Sequence, residues 1–157
     1  MAARKPRRPI LIRLINFWPP YFGAGIRVTH VSDDLMTYRV RMKLRFFNRN
    51  YVGTHFGGSL YSMADPFFML ILLHGLGRGY EVWDKAAKIR FRRPGRSTVH
   101  ATFHVPDEEI ERIRREADAE GKAEPTFRVD VVDDAGEVVA EIEKLLHVKK
   151  KEPKPAA

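Results

Sequence analysis

Apolar residues change their spacing several times along this chain, and each change marks an element. Ile10, Leu11, Ile12, Leu14, Ile15, Phe17 and Trp18 form a dense cluster, which predicts a short helix packed on most sides and stopped by Pro19 and Pro20. GIRVTHVS and TYRVRMKLRFF read as strands. In the second, Tyr38, Val40, Met42, Leu44 and Phe46 alternate with Arg39, Arg41, Lys43 and Arg45, giving one buried and one basic face. After the loop NRNYVGTHFGG, a long apolar segment predicts a buried helix from about Gly58 to Leu76, ending in the glycines of HGLGRGY.

The second half is punctuated in the same way. AAKIRFRRP and STVHATFHV alternate around a Pro94-Gly95 turn. DEEIERIRREADAEG predicts a helix near 107–120, with acids in its first turn, a thin apolar stripe of Ile110, Ile113 and Ala117, and Gly121 as its stop. TFRVDVV and EVVAEIEKLLHV flank DDAG as a closing hairpin. The class is α+β: one antiparallel sheet with a single helix against one face. One helix leaves apolar sheet surface and edges uncovered, so self-association to at least a dimer is expected.

Composition narrows the reading. At 157 residues with 44% hydrophobic content, the chain can enclose a core in one domain, expected over 10–149. The formal charge of +8 is concentrated at the ends, read as basic flexible tails over 1–9 and 150–157, with a further cluster in KIRFRRPGR. The absence of cysteine excludes disulfides and thiolate chemistry and suits a cytoplasmic location. PFFMLILL is far shorter than the ~20 apolar residues of a membrane span. Basic residues before ILIRLINFW imitate a secretion signal, but Arg13 interrupts the apolar part and no small-residue cleavage pattern follows.

Candidate chemistry gathers in NYVGTHFGGSLYSMADPFFMLILLHGLG. Gly57 and Gly58 open the helix, where amides lack intrahelical partners and suit a developing negative charge. Asp65 stands two turns in, on a face with Tyr61, Phe68, Met69 and Leu72. A buried, unpaired carboxylate is costly and is a candidate base or nucleophile. Asp65-Pro66 is equally an N-cap followed by proline at the first helical position, and the residues alone leave the two readings open. His100 and His104 are spaced too widely along a strand to share a metal, and His74 reads as a helix-end histidine bonding a carbonyl.

These residues resemble the signature of hot-dog-fold thioesterases of the phenylacetate-pathway type. GTHFGGSLYSMADPF is similar to a branch of tetrameric acyl-CoA thioesterases, and FRRP and VVDDAGEVVAEI match later family pieces. The resemblance implies five to six strands wrapped around a long central helix, and a thioester site between subunits. By the same resemblance, Asp65 is base or nucleophile, the Gly57 amide, with Gly58, receives the oxyanion, and Asn50 orients carbonyl or water. His55, separated from the glycine pair by Phe56, joins Tyr61, Phe68 and Met69 in contacting the substrate, the helix face of Tyr61, Phe68, Met69 and Leu72 would line an acyl or aryl tunnel, and Arg90, Arg92, Arg93 or Arg96 would hold coenzyme A phosphates. No metal or cofactor is implied; coenzyme A enters as part of the substrate. Two other readings follow: a non-catalytic acyl-CoA or lipid-binding module, and a nucleic-acid or membrane-surface protein driven by the basic ends. Aromatic-interleaved basic motifs of single-strand readers are absent.

Overall fold

In the computed structural model, residues 10–152 are described; the expected tail over 1–9 and the last part of the other, 153–157, lie outside them. The opening apolar cluster is a short helix α1 (Ile10–Leu14) and a 3-10 turn (Ile15–Phe17). It stops at Phe17, before the prolines, and Pro19 and Pro20 also open a further helix, α2 (Pro19–Ala24), where their missing N–H groups cost nothing. The opening segment is not packed on most sides. Ile12 and Ile15 are buried, whereas Ile10, Leu14, Phe17 and Trp18 face outward.

The strands are β1 (Ile26–Val31), β2 (Thr37–Met42), β3 (Tyr80–Phe91), β4 (Val99–His104), β5 (Lys122–Ala123), β6 (Thr126–Asp133) and β7 (Val138–Lys150). They form one antiparallel sheet in the order β1-β2-β4-β6-β7-β3, with β5 on β7. Seven strands replace the expected five to six, the two-residue β5 being invisible to a periodicity argument. β7 continues through Lys150, which pairs with Tyr80 and bonds Asp118 at 2.9 Å. Alternation in β2 holds only to Met42; Phe46 is 82% exposed because the chain has left the sheet. Asn48 makes that departure, donating to Lys43 O (2.8 Å) and Ala24 O (3.0 Å) and accepting from the Arg45 amide (2.7 Å).

The sheet wraps the central helical segment in the expected hot-dog arrangement. That segment is two helices, α3 (Gly57–Ser62) and α4 (Phe67–Leu76), separated by turns over 63–66. Pro66 supplies no N–H to Ser62 O, and a proline disfavours α geometry at the residue before it. The freed carbonyl of Ser62 accepts instead from the Tyr21 hydroxyl (3.2 Å) and the Asp65 amide (3.3 Å). By length and composition alone, Gly57–Leu76 could cross a bilayer; here it supplies the core. The Phe67 ring lies 4.7 Å from Phe103 and 5.3 Å from Tyr38, and Phe68 stacks on Phe127 at 4.8 Å. Each such buried aromatic contributes about 1.5–3 kcal/mol over an exposed one.

The surface helix is α5 (Asp107–Glu120), with Ile110, Ile113 and Ala117 as its buried stripe and Gly121 left-handed at its end. Its Arg114 donates to the C-terminal carbonyls of α4, Gly75 O (2.8 Å) and Leu76 O (3.0 Å).

Candidate active site

Asp65 sits in the break between α3 and α4. No side-chain bond caps α4, whose N-cap is Pro66, so the capping reading does not hold. The carboxylate is half-exposed (47%) rather than enclosed. Behind it lies a group that the sequence reading passed over: Lys144 of β7, whose side chain is fully buried. Its ammonium donates to the Asp65 carbonyl (2.5 Å) and to Asp84 Oδ2 of β3 (2.7 Å), and lies 3.6 Å from Asp65 Oδ1. The Tyr61 ring is 5.6 Å away.

A buried ammonium survives only when its donors are met by acceptors and its charge by opposite charge. Asp84, Asp65 and the Tyr61 face supply both. Burial pushes the Tyr61 hydroxyl above its ordinary range, Lys144 acting against that and the two carboxylates with it. Tyr21 is also raised far above its usual value, first by burial and then by Asp65. The signal for Lys144 was present in the sequence: it shares strand parity with Ile142, Leu146 and Val148, all buried. Asp84 likewise follows the inward Tyr80 and Val82.

The other expected residues meet elsewhere. Asn50, His55, Gly57, Phe91, Arg92, Arg93 and Arg96 line a cleft of about 450 Å³ at the start of α3. Gly57 and Asp65 stand eight residues apart along α3 and the turns that follow it, about 12 Å at the helical rise per residue. Asn50 organises the loop that delivers the glycines: Oδ1 accepts from the amides of Val52 (3.2 Å) and Thr54 (3.0 Å), and Nδ2 donates to Thr54 Oγ1 (2.9 Å) and His55 O (3.3 Å).

His55 is buried and clamps the loop after β3. Its Nε2 donates to Ser97 O (2.8 Å), its amide bonds Gly95 O (2.9 Å), and its Nδ1 is buried without a partner. Burial lowers its pKa, the Ser97 carbonyl opposing. A Cβ on Gly95 would stand 3.0 Å from the imidazole, so the ring would have to shift by a few tenths of an ångström to admit one. A Cβ on Gly57 would similarly meet the Phe91 ring at 3.0 Å.

Phe68 and Leu72, expected to line an acyl tunnel, are instead sealed in the core; of that face, Tyr61 and Met69 stay partly accessible. The arginines divide. Arg92 is paired with Glu141 at 2.6 Å and Arg93 with Glu137 and Asp133, whereas Arg90 and Arg96 have no ion pair among the described residues. Arg90 faces the outer sheet surface, away from the cleft that Arg96 borders. His74 behaves as its position predicts, its Nδ1 bonding Leu70 O at 2.6 Å. His100 and His104 bond Asp134 and Thr37 separately. Among the described residues, no three His, Asp or Glu side chains are gathered as a metal requires.

The family described as Domain of unknown function (DUF4442) matches residues 7–148. No protein of curated function matches. A Pseudomonas aeruginosa protein of unknown function, described as a probable thioesterase, superposes with TM-score 0.82 at 24% identity, over 94% of this chain and 100% of that one. A Haemophilus influenzae thioesterase gives 0.62 at 14%, over 99% and 100%. A point mutant of the phenylacetic acid degradation protein PaaI from Thermus thermophilus gives 0.55 at 22%, over 82% and 97%.

Proposed function

Since the chain belongs to the DUF4442 family and its fold is shared with proteins described as thioesterases, we propose that it hydrolyses acyl or aryl thioesters between two copies of itself. The observation that carries this reading is the Asp65 carboxylate, half-exposed at a helix break, uncapped, and backed by a fully buried ammonium. Substrates of this class, acyl-CoA or an acyl carrier thioester, bring their own thiol; no further cofactor enters.

Asp65 and Gly57 are too distant in one protomer to act on one carbonyl, so the acid of one copy works with the glycine turn of another. β3 is the sheet edge suited to that assembly: it is long, terminal in the strand order, and exposes Trp83, Ala86, Ala87 and Phe91. In the reaction, Asp65 takes a proton from water as its oxygen attacks the thioester carbon. The Gly57 amide donates to the resulting oxyanion, with Gly58 beside it. Collapse breaks the C–S bond, and the proton passes from Asp65 to the leaving sulfur, yielding carboxylic acid and thiol. The same carboxylate could attack directly and be freed by water afterwards.

A panel of acyl- and aryl-CoA esters assayed for free thiol tests this directly, and the chain's lack of cysteine removes protein background from a thiol reagent. Asp65→Asn should lower turnover at least ~100-fold with the oligomer intact. Parent-like hydrolysis by this variant overturns the assignment of the acid. The engagement of His55 in clamping the loop after β3, together with the helix break at Pro66, favours a second reading, a non-catalytic acyl-CoA-binding module. Tight calorimetric binding of acyl-CoA without turnover over hours would select it.

A further inference from the structure

Ile10, Leu14, Phe17, Trp18 and Phe22 are 45–69% exposed, an unusual density for one short segment. Beside them, Arg27, Arg41, Lys43 and Arg45 converge on a cleft of about 500 Å³ whose apolar walls are Phe22 and Phe47. No acid lines it. None of these four cationic side chains has a hydrogen bond or ion pair among the described residues. Elsewhere on the surface, Arg92, Arg93, Arg112, Arg114 and Arg128 each meet a carboxylate. Arg27 and Arg41 are moreover directly opposed across the β1–β2 ladder, a like-charge pair that weakens the sheet. An anion between them removes that repulsion. Phe22 borders the basic cleft and lies on α2, which follows the apolar segment directly in the chain, so this helix links the two features.

We propose that this surface docks the protein on an anionic lipid bilayer, aromatic and aliphatic side chains entering the interface while the arginines and lysine meet headgroup phosphates. The combination of exposed Trp, Phe and Leu with adjacent unpaired cations is the chemistry of interfacial binding. A soluble phosphate would account for the cations but not for five exposed apolar side chains. A second copy of the chain is disfavoured here, because a two-fold contact would set the same cations against each other. The edge suited to self-pairing, β3, lies at the other end of the sheet from β1. The sequence immediately before Ile10 also contains Arg4, Lys5, Arg7 and Arg8, extending the positive sign up to the apolar segment. The inference is independent of thioester chemistry.

The test uses the full chain carrying Trp83→Phe, which leaves Trp18 as the reporting indole. Phosphatidylcholine vesicles with and without phosphatidylserine are compared by co-sedimentation and Trp18 emission. Expected are partitioning onto serine-containing vesicles, a blue shift, and loss of both at high salt. Arg41→Glu/Lys43→Glu should weaken partitioning at least ~tenfold, as each basic residue near such a surface is worth about fivefold. Phe17→Ser should abolish the blue shift with thermal unfolding unchanged. Three results overturn the proposal: no binding or equal binding to both vesicles; a blue shift driven by protein concentration alone, which assigns the face to a second copy; and saturation by soluble inositol hexakisphosphate without vesicle binding, which assigns it to free phosphates.

Discussion

Removing the Lys144 ammonium tests whether the interior of this fold is organised around one charge. In Lys144→Met, a side chain of similar length keeps the packing while Asp84 and the Asp65 carbonyl lose their donor. Breaking a buried pair from one side costs about 3–5 kcal/mol. Asp84 keeps 26% side-chain exposure, so water recovers part of the loss and the low end, about 3 kcal/mol, is expected. With a urea slope of about 2 kcal/mol/M, the midpoint should fall by about 1.5 M at fixed protein concentration. Asp84→Leu alone should also be destabilising, since it strands the ammonium. Combining the two removes both charges and should recover at least about 2 kcal/mol relative to the sum of the single effects. A midpoint shift below about 0.3 M, or strict additivity in the double variant, would refute the reasoning.

Other expectations concern the loops and helix ends. Burial depresses the His55 pKa, so below the ordinary range near 6.5 the unfolded chain holds a proton that the folded chain refuses. Stability from this residue is therefore full above that range and falls as pH drops through it toward the lower folded value; urea midpoints at mildly acidic and neutral pH should show a slope that His55→Gln lacks. Gly95→Ala forces a methyl group against the imidazole and against Val139 Cγ1 at 3.2 Å, and should cost about 1–3 kcal/mol in the same unfolding assay. Arg114→Ala removes two bonds to the end of α4 and a guanidinium 5.5 Å from the Tyr80 ring, and should lower stability by about 1–2 kcal/mol. Hydrogen exchange at the last turn of α4 should accelerate in that variant.

Much of the fold was legible because its cause is periodic. The Ile110, Ile113, Ala117 stripe, the Gly121 stop and the closing hairpin follow from spacing and turn chemistry, and all lie where expected. What escaped was decided by side chains distant in sequence. Nothing in KLRFFNRN says that Asn48 will gather Lys43, Arg45 and Ala24 and bend the chain off the sheet. Pro19-Pro20 is compatible with both ends of a helix, and here it marks both: one helical segment stops at Phe17 and α2 opens at Pro19, burying Tyr21. At the candidate site, Asp65 and the glycine pair were identifiable through the resemblance. Lys144 was identifiable from strand parity, but a lysine in EIEKLL reads as solvated until an acid such as Asp84 is known to face it.

One strand touches both halves of the proposed machinery. β3 meets the acid's surroundings through Asp84 and covers Gly57 with Phe91, points seven residues or about 23 Å apart. An extended peptide added along that free margin would therefore span donor and base simultaneously. Blocking assembly and silencing the chemistry would then be a single event, achievable by a ligand that never enters a pocket.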